Sequence, residues 1–273
     1  MKFLQCLAII FMILSIVAGS FLIPVAVAVY LHEWNMLPAF FIPMAVLWPV
    51  TLLLFLKTKQ NRIQLTVREG ILLVSAAWLG AGLLGAVPFM LSGLVPYFSD
   101  AFFESVSGFT TTGASALQDI ESYPMALRVW RTQMHWLGGM GIVALTVALF
   151  PLLGVGGFQL IKSETSGPDK GKVTAKITHT AKALWFIYLG MTVLQILLLC
   201  LADMPFLEAM CHSFSTLGTG GFSSRNTSIG YYNSAAIEII CTVFMFLAGV
   251  NFSLYFHLFT GKPEEVFRNS ELR

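Results

Sequence analysis

Six stretches of this chain contain no Asp, Glu, Lys or Arg: Phe3 to Tyr30, Trp34 to Leu56, Ile71 to Ser99, Thr132 to Ile161, Ala183 to Ala202 and Ile239 to Thr260. A bilayer core of about 30 Å is crossed by about 20 helical residues, and each stretch is long enough. Transmembrane strands alternate apolar and polar residues over segments of about 10, whereas these runs are continuously apolar. Composition agrees: 56% of the 273 residues are hydrophobic and 11% are charged. A soluble domain carries about 25% charged residues, and a chain this apolar with a net charge of only +2 is not disordered. The expected fold class is an all-α integral membrane protein with six spans.

The first stretch has a signal-peptide flavour, with Lys2 ahead of it and the small residues Ala18, Gly19 and Ser20 within it. Signal cores run about 7–15 residues, and this one continues past Ser20, so a retained helix is expected. Cys6, Cys200, Cys211 and Cys241 sit in or beside apolar runs without metal-ligand spacing. They read as small packing residues.

Basic residues collect in cytoplasmic loops. Lys2 precedes the first span; Lys57, Lys59, Arg62 and Arg68 follow the second; Lys162, Lys170, Lys172, Lys176 and Lys182 follow the fourth; Lys262, Arg268 and Arg273 end the chain. Six alternating spans put all of these on one side. Only Arg128, Arg131 and Arg225 remain from the 16 basic residues. Both ends are therefore expected in the cytoplasm.

Two outer segments resemble each other: Asp100 to Ser115 and Phe206 to Ser223. Superposing Thr112-Gly113 on Thr219-Gly220 gives a period of 107 residues, and the flanking spans then superpose as well. The chain reads as a two-helix preface and two copies of helix, short re-entrant helix, loop, helix. Each short helix is half the length needed to cross. Irregular backbone at that depth is tolerated only where protein buries it or a watery cavity meets it.

The loops Thr110-Thr111-Thr112-Gly113 and Leu217-Gly218-Thr219-Gly220 offer carbonyls, hydroxyls and glycine, and no titratable group. Glycine opens backbone conformations closed to other residues. Rings of backbone carbonyls replace the hydration shell of a monovalent cation. These eight residues are the expected ion-binding positions.

At this point a resemblance becomes specific. Glu104-Ser-Val-Ser-Gly-Phe-Thr-Thr-Thr-Gly-Ala114, His135-Trp-Leu-Gly-Gly-Met-Gly141, His212-Ser-Phe-Ser-Thr216 and Thr219-Gly-Gly-Phe-Ser223 resemble the bacterial potassium-uptake superfamily of Trk and Ktr membrane subunits and their plant and fungal relatives. The Trk-type subunit is the nearest likeness, and the two-helix preface and the Gly167-Pro168 segment share it. The resemblance implies a pseudo-fourfold cation channel fold, one key glycine per repeat at Gly113 and Gly220, homodimers, and a cytoplasmic ring of nucleotide-binding regulatory subunits. It implies four repeats where this chain has two, so the sequence resembles an N-terminal half.

Other residues invite sharper readings. His135 with Gly138, Gly139 and Gly141 suggests a metal or catalytic site, but small residues in membrane helices serve close packing, here against the pore helix. His212 reads as a capping or packing residue. Glu104 either attracts cations or is paired. Arg128 and Arg131 snorkel or pair with Asp119 or Glu121. Glu238 lies 107 residues after Arg131, which raises an inter-repeat ion pair. Gly167 to Lys172 misses the phosphate-loop spacing, and the sequon Asn226-Thr227-Ser228 is inert in a bacterial chain.

The expected organisation is residues 1–58 as preface, 69–160 as the first repeat, 161–180 as a basic cytoplasmic loop, 181–261 as the second repeat and 262–273 as a cytoplasmic tail. The expected function is potassium uptake across the inner membrane. Potassium is the transported ion rather than a cofactor, and neither an enzyme nor a nucleic-acid partner is expected. The competing expectation is a non-conducting piece or assembly module that needs the remaining repeats, or a second copy, to close a pore. A secondary transporter built on inverted repeats fits less well, because both copies here have the same orientation.

Overall fold

The computed structural model describes residues 2–58, 67–141, 170–250 and 254–255. Its helices are α1 (Lys2–Ser20), α2 (Leu22–Tyr30), α3 (Leu37–Lys57), α4 (Val67–Leu91), α5 (Phe98–Phe109), α6 (Met125–Gly139), α7 (Lys170–Leu201), α8 (Phe206–Leu217) and α9 (Ala235–Gly249). Helices α1 and α2 form one apolar run, Phe3–Tyr30. With Trp34–Lys57, Arg68–Leu91 and Ala183–Leu201, it is long and apolar enough to cross a membrane.

The other two expected spans are described only in part. Helix α6 ends at Gly139 and α9 at Gly249, each after 15 residues and each inside a stretch read as continuous. Gly141 takes a left-handed φ of +71°, and Val250 is extended. Both interruptions follow glycine, which has no Cβ to hold it in a helix. The rest of Thr132–Ile161, most of Ile239–Thr260 beyond Val250, the Gly167-Pro168 segment and the C-terminal basic residues lie outside the described residues.

A break in the first span is put to use. Pro24 has no N–H, so the Ser20 carbonyl lacks its usual partner four residues on. Gln133 Nε2 of α6 donates to that carbonyl at 2.8 Å. Phe21, beside the break, meets Trp130 edge-on at 4.6 Å, and Trp130 in turn meets Phe109 at 6.1 Å. Trp130 is fully buried and donates its indole N–H to the Gly85 carbonyl. One aromatic column thus joins the preface, α6 and α5.

Helix α6 is the hub, packing on α2, α5 and α8. It carries Arg131, Thr132, Gln133 and His135 in the interior. Meanwhile Ile71, Leu72 and Leu79 of α4, Phe186 and Leu197 of α7 and Phe246 of α9 point outward. Apolar outside and polar inside is the pattern of a chain whose solvent is lipid. Small residues let the helices close: a Cβ on Gly85 would lie 2.4 Å from Ser105 Oγ, and one on Gly108 would lie 2.9 Å from Met134 Cβ.

Candidate functional site

Helices α5 and α8 are both 12 residues long, and each turns straight into a loop. Their starts, Phe98 and Phe206, are 108 residues apart, as are their ends, Phe109 and Leu217. The capping bonds repeat at the same offset. Thr110, Thr111 and Thr112 donate their N–H groups to Val106, Gly108 and Ser107, while Gly218, Thr219 and Gly220 donate to Phe214, Thr216 and Ser215. Backbone handedness repeats too: Thr111 and Thr219 both have φ +54°, and Gly113 and Gly221 have +78° and +92°.

The period is therefore 108, not 107. Gly221 stands where Gly113 stands, and Gly220 is the counterpart of Thr112. Leu217 ends its helix with its side chain buried against Tyr188, Phe244 and Ala248. The matched loops are Thr110–Gly113 and Gly218–Gly221. The adjacent glycines 220 and 221 made the register ambiguous in the sequence. The serines hold the missing signal, since Ser105, Ser107 and Ser115 match Ser213, Ser215 and Ser223 at 108.

The two loops touch backbone to backbone. A Cβ on Gly113 would lie 2.0 Å from the Gly220 carbonyl oxygen. Helix α6 seals them from behind: Gly138 abuts the Phe109 carbonyl and Gly139 abuts Gly218, with hypothetical Cβ contacts of 2.1 and 2.5 Å. Of the small residues beside His135, Gly138 and Gly139 serve close packing, against the end of α5 and against the second loop. Thr110, Thr112, Thr219 and Gly221 are exposed, while Gly113 and Gly220 are half-buried. The Thr110 and Thr112 hydroxyls pair at 2.8 Å. Both short helices present their C-terminal, electronegative ends to the loops.

Each loop is held by a different set of groups. In the first, Ser107 Oγ donates to the Ala114 carbonyl, and Glu104 accepts from Ser115 Oγ and Ala116 N. Glu104 is fully buried and pairs with Arg131 Nε. Arg131 Nη1 then crosses to the second loop and donates to the Ser223 carbonyl at 2.9 Å, its guanidinium 3.7 Å from the Phe222 ring. Of the two readings of Glu104, pairing is the one observed. Arg131 is thereby committed to Glu104 rather than Glu238, and the 108 offset makes Ile239 its counterpart.

The segments that follow the two loops are laced together. Asn226 donates through Nδ2 to Asp119 and accepts from Ile120 N, both at 2.8 Å. Its own N–H donates to Glu121 at 3.1 Å, and Arg225 Nη1 pairs with Glu121 at 2.8 Å. Arg128 Nη1 donates to the Ser224 carbonyl at 3.2 Å. Arg225 also reaches Glu208, which accepts from the Tyr232 hydroxyl. The Asn226 N–H, then Arg225, hold the Glu121 carboxyl below its usual range. Glu208, ahead of Glu121, raises the Arg225 value. Glu33 binds Met125 N and Ala126 N at 2.8 and 3.0 Å, capping α6 from the preface.

Among the described residues no cluster of three His, Cys, Asp or Glu side chains is placed to hold a metal. His212 is buried edge-on to Tyr232 at 5.6 Å. Two loops of carbonyls and hydroxyls, free of titratable groups, are suited to coordinating a cation.

The sequence model of the TrkH family, described as a cation transport protein, matches residues 36–271. The chain belongs to the TrkH family. It is 45% identical over 224 residues to the Trk system potassium uptake protein TrkH of Halomonas elongata, covering 81% of this chain and 46% of the relative. Against the protein of that name from Escherichia coli K12 it is 38% identical, covering 100% of this chain and 57% of the relative. The crystal structure of the potassium transporter TrkH from Vibrio parahaemolyticus matches with a TM-score of 0.83 at 34% identity, over 100% of this chain and 56% of that one. The all-helical membrane fold therefore matches TrkH over about half of that structure. TrkH is a transporter family, not an enzyme family. The chain spans about half the length of these relatives.

Proposed function

We propose that this chain is a membrane subunit for inward potassium movement, with the loops at residues 110–113 and 218–221 lining part of a selectivity filter. The observation carrying this is the repeated loop geometry. Two half-length helices end in loops of the same handedness, Thr111 with Thr219 and Gly113 with Gly221, and the loops meet at Gly113 and Gly220. Carbonyls so arranged take over from a cation's water shell. Residues 1–58 act as a preface, and 69–160 and 181–261 each supply one quarter of the filter.

Two quarters leave half of a cation's surroundings open. The ring is completed by further repeats of this kind, either from the remaining half of a TrkH relative or from a second copy of this chain. Homodimers and a cytoplasmic nucleotide-binding regulatory subunit are the partners the family suggests. The protein sits in the inner membrane with residues 59–66 and 161–180 cytoplasmic. Cysteine at Thr227 should then react with an impermeant external thiol reagent, and cysteine at Gly171 should not; the reverse pattern overturns this orientation.

The transport test is growth at low potassium of an uptake-deficient strain producing this chain with a polypeptide carrying the other two repeats. Growth should be restored, and Gly113→Asp or Gly221→Asp should abolish it at equal membrane abundance. Failure of the unsubstituted pair to restore uptake, or normal uptake by both variants, overturns the assignment.

A further inference from the structure

His135 belongs to α6 of the first repeat, yet its ring is spent on the second repeat's loop. It stacks on Phe222 with centroids 4.0 Å apart and planes 15° from parallel. Nδ1 accepts from the Phe222 N–H at 3.4 Å and lies 3.3 Å from Ser215 Oγ. The same ring fills the space beside Gly220, where a Cβ would come within 1.9 Å of Nδ1. His135 is completely buried.

The counterpart positions show what this replaces. At the 108 offset Ser215 corresponds to Ser107 and Phe222 to Ala114. In the first repeat Ser107 Oγ ties directly to the Ala114 carbonyl, closing the loop on its own helix. In the second repeat Ser215 turns to the imidazole, which receives the Phe222 N–H from the far side of the loop. The imidazole therefore joins Ser215 to Phe222 across Gly220. An Nδ1 that accepts a backbone N–H carries no proton, and the other ring nitrogen, Nε2, is buried without a hydrogen-bond partner among the described residues.

We infer that His135 is a positioning residue for the second loop, fixing the backbone of Gly220–Phe222 and through it the discrimination between potassium and sodium. The inference rests on the function proposed above and adds a residue outside both loops. Its chemical requirement is narrow: an acceptor at the Nδ1 position. Asparagine places Oδ1 there, glutamine carries its acceptor one atom further out, and leucine has none.

The experiment compares His135→Asn, His135→Leu and His135→Gln by two readouts. The first is amide hydrogen exchange of the purified chain, resolved for peptides over 219–224 and 110–116. Leu and Gln should speed exchange at 219–224 by about tenfold or more, the factor for losing about 1.4 kcal/mol of protection, while 110–116 stays unchanged and Asn behaves as the unsubstituted chain. Unchanged exchange in Leu and Gln, or equal acceleration of both peptides, overturns the assignment. The second readout is relative sodium and potassium uptake in the complementation strain. Leu and Gln should admit sodium several-fold more readily, and Asn should not. Selectivity unchanged in Leu and Gln, while Gly113→Asp still abolishes uptake, removes this inference alone. Uptake indifferent to Gly113→Asp removes the function beneath it.

Discussion

Glu104 and Arg131 form a buried pair that belongs to both loops at once. Glu104 holds Ser115 and Ala116 of the first loop, and Arg131 holds Ser223 of the second. Removing one member of a buried pair strands the other charge, at a cost of about 3–5 kcal/mol. Arg131→Met should therefore lower the melting temperature of the purified protein sharply, and Glu104→Gln with Arg131→Met should recover much of the loss. Arg131→Lys should not substitute, because an ammonium lacks the planar fork that serves Glu104 and Ser223 together. Near-normal melting of Arg131→Met would count against the pair as the link between loops.

The lacing around Asn226 and Glu121 should respond to acid in one direction. The Asn226 N–H and Arg225 hold the Glu121 carboxyl below its usual value of 4.5. A depressed carboxyl stabilises the fold while ionised, so its contribution is full at neutral pH and fades as pH falls below 4.5. Thermal melts from pH 7 downward should show the unsubstituted protein converging on Glu121→Gln only in that acid window. A difference that disappears by pH 6 would assign the effect to another group.

Glycines of the same type should differ widely in what they tolerate. Nothing lies within 4 Å of a Cβ on Gly190, so Gly190→Ala should be neutral or stabilising by about 0.5–1 kcal/mol. Gly138→Ala drives a methyl into the Phe109 carbonyl and should destabilise, displacing α5 from α6. Paired thermal melts check the contrast, and equal effects would contradict the packing.

Gly220 and Gly221 should fail for different reasons. Gly220→Ala collides with the His135 ring, so shrinking that ring with His135→Ala should partly restore stability to the double variant. Gly221 has open space but a φ of +92°, so Gly221→Ala carries backbone strain of about 1–3 kcal/mol that no neighbour can relieve. A double-variant cycle separates the two: coupling at Gly220 with His135, and additivity at Gly221.

Much of this fold is legible in the sequence because lipid enforces length. The runs at Phe3–Tyr30 and Ala183–Leu201 are helical as their apolar character dictates. The short helices follow from Asp100 and Phe206 opening segments too brief to cross. What escapes is anything decided by contact. The stops at Gly139 and Gly249 interrupt runs whose composition continues unbroken. The partner of Glu104 is 27 residues away on another helix, and the bond from Gln133 to Ser20 spans 113 residues; no local pattern encodes either. The cross-loop role of Asn226 is hidden inside a sequon, and that of His135 inside a glycine-rich packing motif. Register alone was recoverable, from serines rather than glycines.

The seam between Gly113 and Gly220 carries a mechanical consequence. No side chain stands between the loops there, so their separation is set by the radii of a carbonyl oxygen and an α-carbon. Such a joint has no rotamer to turn and no methylene to compress. In the filter we propose, this flank of the bore does not widen or narrow by side-chain motion, and any breathing of the aperture is taken up along its other edges. Changes at the exposed Thr110, Thr112 or Thr219 alter the chemistry of the loop surface while leaving the spacing at this joint fixed.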